Sequence, residues 1–535
     1  MKNFWLLGGL ILLCFLHIGT RPLAHPDEGR YATIGSEMLR TGEWIVPHLN
    51  GLVYFEKPPL GYWLIALGQK IFGHTLFGAR CFNAAASILT CLCLYLFCKR
   101  FLSPTVGFWA ALMYGTAALP FGLSQILTLD NFLTLFVTAT LLSFASGFLE
   151  ENPQSARKDF YRAYIFMALA VLTKGLIGIV LPALIGIPWL LMTRSFLQLF
   201  KTPLVKGWLL FFLIAAPWHI AVQHRYSCFA EFYFWHEHFE RYLTNDHNRN
   251  QVWYFLPTAF LLGCLPWTFF LPRFLRNIWK HSMGKERAIL LFSFCWAIGT
   301  LLFFSFSHSQ LIPYILPAIP GAALFFAYSW NQLDQSKLSP ECSLWSLTFL
   351  AAASLALPIL HKRAILPVPS SLLTTLQILL FLGGCIGFLQ AKHHARSAFH
   401  TLWTTFLLIE ALLPCFMPFF QRWVGKTICE AIQQQNTKPQ DVFCAYGYFS
   451  DFPFYLNQTV GSIHYIEEEH RFAWLRYGCK NYLSLQNFQE RWKQPAICYA
   501  VVKQPDRSRF EQEMGMPSLV PLTEDSFFVF YKNQP

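Results

Sequence analysis

The sequence predicts a polytopic α-helical membrane protein with a small α/β domain at its C-terminal end. Three observations predict it. The 535 residues are 54% hydrophobic and only 13% charged, whereas soluble chains are closer to one quarter charged. Apolar stretches of the length needed to cross a bilayer, about 20 residues, recur as far as residue 420. After 421 they give way to short alternating or aromatic runs at 442–448, 496–502 and 526–531, separated by Asn, Gln, Pro, Asp and Lys. Such runs read as strands of a compact extramembrane domain. The expected organisation is therefore a transmembrane domain over 1–420, with 21–81 as its first extramembrane loop, and an α/β domain over 421–535.

The first apolar segment, 4–20, follows Lys2 and is followed closely by Asp27 without an Ala-x-Ala site. It is expected to stay as an uncleaved anchor helix. Further spans are expected at 82–98, 105–123, 127–149, 161–173, 175–193, 206–223, 253–272, 288–306, 310–329, 343–360, 371–390 and 398–420, about thirteen helices in all. With Lys2 inside and strict alternation, the inside loops carry Lys99 and Arg100; Arg157, Lys158 and Arg162; Arg194, Lys201 and Lys206; Arg273, Arg276, Lys280, Lys285 and Arg287; Lys337; and Lys392 and Arg396. Every inside loop is basic, as the positive-inside rule requires. These loops explain much of the net charge of +12 without a nucleic-acid partner, and no nucleic-acid-binding motif is present. There is no Walker or Rossmann glycine motif either, so direct use of ATP is not expected. Cys14, Cys91, Cys93, Cys295 and Cys385 lie in apolar segments as ordinary core residues. Cys429, Cys444, Cys479 and Cys498 allow three pairings, which stay open.

The outside segments hold nearly every unusual polar residue. Asp27-Glu28 follows the first helix, either as a solvated interfacial pair or as reactive acids. Asp130 opens an apolar helix; an acid there costs energy near the bilayer centre, although a helix N-terminus also suits a carboxylate. Glu56-Lys57-Pro58-Pro59 sets an acid and a lysine before two prolines, which fix φ and hold the lysine in a set direction. Lysine and arginine supply charge-assisted bonds to phosphate. Lys174 interrupts an apolar run, and snorkelling to the surface is the simpler account of it. His236-Glu237-His238 is a weak metal pattern, because neighbours at i and i+2 do not share a helix face. Arg241 has the fork geometry that suits phosphate. Tyr314 sits in Ile312-Pro313-Tyr314-Ile315-Leu316-Pro317 at the outer surface.

Together these motifs resemble a known family. The run Asp27-Glu28-Gly29-Arg30-Tyr31-Ala32, then Gly42-Glu43-Trp44, Pro47, Asn50-Gly51 and Tyr54-Phe55-Glu56-Lys57-Pro58-Pro59-Leu60-Gly61-Tyr62-Trp63 is similar to the bacterial lipid A aminoarabinose (4-amino-4-deoxy-L-arabinose) transferases. These are C-type-fold integral-membrane glycosyltransferases related to protein O-mannosyltransferases. The resemblance implies an undecaprenyl-phosphate sugar donor, lipid A or another cell-envelope acceptor, and transfer at the periplasmic face of the inner membrane. It implies Asp27 and Asp130 as the catalytic acids and Lys57, Arg241 and Tyr314 as ligands of the donor phosphate. Glu28, Arg30, Tyr31, Tyr54 and Lys174 would line the cavity. No cofactor is required, and Glu56 and His236 match positions that can hold a divalent metal. One departure stands out: where the family has a lysine in a Ser-Lys-Leu-Pro run, this chain has Ser309-Gln310-Leu311-Ile312-Pro313. Alternatives are a transferase of another sugar or to a glycan or protein acceptor, a lipid-linked sugar flippase, and a membrane scaffold. A flippase should place its charges near the midplane in matched halves; here they crowd one face.

The charge alternation makes a direct prediction. A cysteine placed at Arg276 should be labelled only from the inside, and cysteines at Asp27, Lys57 or Ala500 only from the outside. Outside labelling at position 276 would overturn the arrangement.

Overall fold

Backbone groups within hydrocarbon can bond only to their own helix, and the apolar stretches of this chain form helices accordingly. The computed structural model describes residues 2–240, 251–281, 284–356, 368–420, 425–434, 441–478, 481–515, 521–525 and 527–533. The chain divides into two units: Met1–Ile18, Phe82–Gln125 and Leu129–Phe420 in the first, and Gly19–Cys81, Ile126–Thr128 and Gln421–Pro535 in the second. The first extramembrane loop, assigned from sequence to the transmembrane domain, thus clusters with the C-terminal segment.

Among the described residues of the first unit and its borders, seven helices are long and apolar enough to cross a membrane: Leu76–Phe101, Leu129–Leu149, Leu204–Arg225, Gly284–Ser305, Ile312–Asn331, Ser370–Ala391 and Ala395–Phe416. Two bent pairs bring the number to nine, Pro104–Gly115 with Ala118–Ser124 at 64° and Phe255–Gly263 with Trp267–Arg276 at 97°. By length and composition alone, nine of the thirteen expected spans qualify among the described residues. The first apolar segment forms the 14-residue helix Lys2–Phe15, the stretch 161–173 is the end of the longer helix Pro153–Lys174, and Ile177–Met192 is a shorter apolar helix. Part of 343–360 lies outside the described residues. The bend in the second pair falls at Pro266, which has no N–H to give to a helix. The two breaks satisfy each other: the Ala118 N–H donates to the Leu265 carbonyl at 3.0 Å.

Aromatic side chains fill the centre of this unit. Trp330 packs with Phe399 at 4.8 Å between ring centroids, with Phe270 at 5.2 Å and with Trp267 at 6.2 Å. Contacts of this kind contribute about 0.5–1.5 kcal/mol each beyond burial.

The second unit is built on a six-stranded sheet of order β5-β4-β3-β6-β8-β7. Its strands are β3 (Asp441–Ala445), β4 (Gly461–Ile463), β5 (Tyr482–Leu483), β6 (Cys498–Lys503), β7 (Pro521–Glu524) and β8 (Phe528–Lys532). β5, β4, β3 and β6 run parallel, while β8 and β7 pair antiparallel. Alternation puts Val442, Cys444, Tyr499 and Val501 in one core with Ile428 and Ile432, and Phe443, Ala445, Ala500 and Val502 in another with Phe488 and Phe510. Helices therefore cover both faces, as a parallel sheet requires. Cys429, Cys444 and Cys498 are buried free thiols, and Cys479 lies outside the described residues.

The first loop docks on this sheet domain within the same unit. Strands β1 (His48–Leu49) and β2 (Leu52–Val53) form a hairpin through Asn50-Gly51. Both turn residues have positive φ, 55° and 82°, which is why Asn-Gly suits a tight hairpin. The Asn50 amide then donates to the Val460 carbonyl and accepts from the Val460 N–H, both at 2.8 Å. Helix Asp27–Thr41 approaches so closely that a Cβ on Gly29 would lie 2.6 Å from the Asp451 nitrogen and 2.7 Å from the Ser450 carbonyl carbon. Gly29→Ala should therefore lower stability by about 1–3 kcal/mol through overpacking against backbone. A thermal midpoint equal to the parent's would show that the two segments separate easily.

Candidate active site

Two adjacent acids meet opposite fates. Glu28 is fully buried, and the Asp27 side chain is 51% exposed. Glu28 accepts from Arg21 at 2.7 and 2.8 Å, from Arg80 at 2.8 and 2.9 Å, and from the Ala24 and Leu127 N–H groups at 2.7 Å each. Burial pushes the Glu28 carboxyl up, but the Arg80 and Arg21 guanidiniums overcome it and hold it down at about 2. Every lone pair of Glu28 is committed, so it serves as the anchor of the loop. Arg21 and Arg80, which the sequence reading did not single out, are its partners.

Asp27 turns outward and pairs with Arg30 at 3.5 Å. The Arg30 side chain is buried. Beside it stand Tyr31, Tyr54 and Tyr62, with Tyr62 6.0 Å from Tyr31 and 6.3 Å from Tyr54 between ring centroids. Burial pushes the Tyr62 phenol well above its ordinary range; Glu56 adds to the shift, Arg30 opposes it and Asp27 adds to it. This phenol thus stands within reach of both charged motifs of the loop. The Tyr54 hydroxyl donates to Glu56 Oε2 at 3.0 Å. Lys57 Nζ donates to the Glu56 carbonyl at 2.9 Å and lies 4.0 Å from Glu56 Oε2. Pro58 and Pro59 follow, and Pro59 caps helix Leu60–Phe72. The lysine is aimed by its own main chain and by a fixed helix start.

A separate group forms in the first unit. Helices Leu129–Leu149 and Pro153–Lys174 make a tight antiparallel hairpin, with Asn152 capping the second through the Gln154 and Ser155 N–H groups. Asp130 stands in the first turn of one and Lys174 in the last turn of the other, each at the helix end its charge favours. They meet at 2.5 Å. Lys174 also lies 4.7 Å over the Tyr314 ring. Lys174 therefore does not simply snorkel; it is bound to an acid and an aromatic face. Gln310, the departure from the resembled motif, donates to the Ser305 and Ser307 carbonyls at 3.0 Å each. A neutral amide there closes the turn before Tyr314.

Arg241 and the side chain of His236 lie outside the described residues. Among the described residues no group of three or more His, Cys, Asp or Glu side chains could hold a metal ion. Glu56, the described candidate ligand, already has the Tyr54 hydroxyl and the Lys57 ammonium around Oε2.

Comparison with known proteins places this geometry. A family model described as dolichyl-phosphate-mannose-protein mannosyltransferase matches residues 56–220. An undecaprenyl phosphate-alpha-4-amino-4-deoxy-L-arabinose arabinosyl transferase of Pseudomonas aeruginosa (strain UCBPP-PA14) is 33% identical over 428 residues, covering 76% of this chain and 75% of the relative. The chain belongs to this arabinosyl transferase family. The same-named transferase of Aeromonas salmonicida (strain A449) is 33% identical over 78% of this chain and 76% of its own length. The fold agrees with the crystal structure of ArnT from Cupriavidus metallidurans bound to undecaprenyl phosphate, at a TM-score of 0.87 and 23% identity, covering 99% of this chain and 97% of that one. The arabinosyl transferase family is one of membrane glycosyltransferases that use a lipid-linked sugar, and this chain is such an enzyme.

The Glu28 clamp is testable. Glu28→Gln should cost about 3–5 kcal/mol, because it leaves buried guanidiniums uncompensated, whereas Asp27→Asn should leave the thermal midpoint near the parent's. The folded Glu28 value lies below that of the unfolded chain, about 4.3. The stabilisation is thus present above about pH 4 and is lost as pH falls toward about 2. A Glu28→Gln protein as stable as the parent at pH 7 would refute the assignment.

Proposed function

We propose that this protein transfers 4-amino-4-deoxy-L-arabinose from undecaprenyl phosphate to lipid A at the periplasmic face of the inner membrane. The observation that carries the reading is the match across 76% of the chain to a relative named for that donor. The site supports it. Transfer breaks the bond between the anomeric carbon and the carrier phosphate, and an acceptor oxygen takes its place. The phosphate departs with the electron pair, and cations beside it stabilise the charge it gains, which is usually the largest contribution in such chemistry. Lys57 is the described residue best placed for that role, being set in direction by the Glu56 carbonyl and the two prolines. Arg241 and Tyr314 are its partners in this reading.

Asp27 is the exposed acid of the pair and the group available to work on the acceptor. For a hydroxyl acceptor it is the general base. A phosphate acceptor is already an anion, and Asp27 then orients it or binds the ammonium of the sugar. Asp130 is the second acid, with its charge shared by Lys174.

Mass spectrometry of lipid A and of polyprenyl-phosphate sugars, with and without the protein, identifies both substrates. Unmodified lipid A in both samples would overturn the acceptor. Within the enzyme, Lys57→Ala should weaken donor-lipid binding by about ten- to a hundredfold, the worth of a charge-assisted bond. Asp27→Asn should leave donor binding within a few-fold while cutting turnover by about 10²-fold if the acid serves as base. Parent-level transfer by Asp27→Asn, or normal binding and turnover by Lys57→Ala, would remove that residue from its role.

A further inference from the structure

The last carbonyls of a helix have no partner within it. Helix Ala118–Ser124 closes a bent pair, and its final carbonyls, those of Leu123 and Ser124, are met by side chains from two other helices. Asn83, on helix Leu76–Phe101, donates to the Leu123 carbonyl at 3.0 Å and to the Ser124 carbonyl at 3.2 Å. Asn131, in the first turn of helix Leu129–Leu149, donates to the same Leu123 carbonyl at 2.7 Å and to Asn83 Oδ1 at 3.2 Å. Ser87, one turn on from Asn83, donates to Asn131 Oδ1 at 3.4 Å. Asn83, Ser87 and Asn131 are all buried.

A backbone carbonyl can only accept, so the NH2 group of each amide must face the helix end. Both protons of both asparagines are then used: two go to Leu123, one to Ser124 and one passes between the amides. A buried polar network of this kind is rigid when every member is satisfied and costly when one is removed. Hydrogen bonds between amides also hold helices together where lipid supplies no hydrophobic drive.

The residue beside Asn131 is Asp130. Helix starts fray, and Asp130 is the second residue of its helix. Consecutive helical residues point about 100° apart. An Asn131 side chain tied to Asn83 and Leu123 therefore fixes the direction in which Asp130 leaves the helix. In that direction it meets Lys174 at 2.5 Å, and the lysine ammonium lies 4.7 Å from the Tyr314 ring centroid. Resting on the reading of Asp130 as the second acid, we infer that Asn83 and Asn131 form an amide clasp that positions Asp130 for sugar transfer. Their part is positioning, exerted through Asp130. A misplacement of about 1 Å at a working group can lower turnover about 10²-fold, so the clasp acts on rate and leaves the grip on the donor to Lys57.

The test uses the full-length protein in nanodiscs. Transfer from undecaprenyl phosphate 4-amino-4-deoxy-L-arabinose to lipid A gives kcat and the donor KM, and undecaprenyl phosphate is the binding probe. The variants are Asn83→Leu, Asp130→Asn and the two combined. Asn83→Leu should lower kcat about tenfold or more, with donor KM and undecaprenyl phosphate binding within about twofold of the parent. In the Asp130→Asn background the same substitution should lower kcat no further, because the group it positions is already gone. A merely structural role gives equal losses in both backgrounds. Equal losses, or parent-level turnover by Asn83→Leu, would overturn the clasp and leave Asp130 in its role. Parent-level turnover by Asp130→Asn would overturn the reading of Asp130 itself, and the clasp with it. If Asn83→Leu does not fold, Asn83→Ser carries the same comparison. It keeps a donor for one of the two carbonyls, and its loss should be about threefold in the parent and absent beside Asp130→Asn.

Discussion

The Glu28 carboxylate is the constraint on which the second unit depends. It sits between two arginines and two backbone amides and draws together residues 21, 24, 80 and 127. Neither guanidinium could be buried there without it, since an uncompensated buried charge costs several kcal/mol. Its position also sets the rotation of helix Asp27–Thr41. Neighbouring residues on a helix point about 100° apart, so clamping Glu28 inward turns Asp27 outward. The chemistry available to Asp27 is thus a consequence of the structural role of the residue beside it.

A related economy appears in the first unit. The hairpin of Leu129–Leu149 and Pro153–Lys174 places the start of one helix beside the end of the other. An acid at the first and a base at the second each sit at the terminus their charge favours, and the pair neutralises itself where isolated charge would be expensive. The Tyr314 ring then covers the ammonium from a third element. Three separate segments thus share the cost of placing this ion pair.

The sheet domain has a reason to be present beyond solubility. Its parallel strands need covering on both faces, and its loops receive the Asn50-Gly51 hairpin and the Gly29 face of helix Asp27–Thr41. The Asn-Gly pair, which from sequence belongs to a family motif, works as a turn whose asparagine also binds the backbone at Val460. Gln310 is a similar case: it holds a turn through two carbonyls.

The sequence by itself determined the membrane class, most of the spans, the three main strands of the C-terminal sheet and the family motif between Asp27 and Trp63. These are local properties: apolar length, two-residue alternation, turn chemistry and motif spacing are written in neighbouring residues. The tertiary structure decided the rest. Nothing in Asp27-Glu28 says which acid is buried, because the answer lies with Arg80, 52 residues away. Lys174 reads as a snorkelling lysine until a helix hairpin brings Asp130 to it across 44 residues. Two apolar stretches that read as straight spans are bent, since the breaks are held by a hydrogen bond between them, Ala118 to Leu265. Ser450 carries no motif at all. Its place beside His25 comes from packing one sheet domain against one helix, and the sequence holds no short-range record of a contact made more than 400 residues apart.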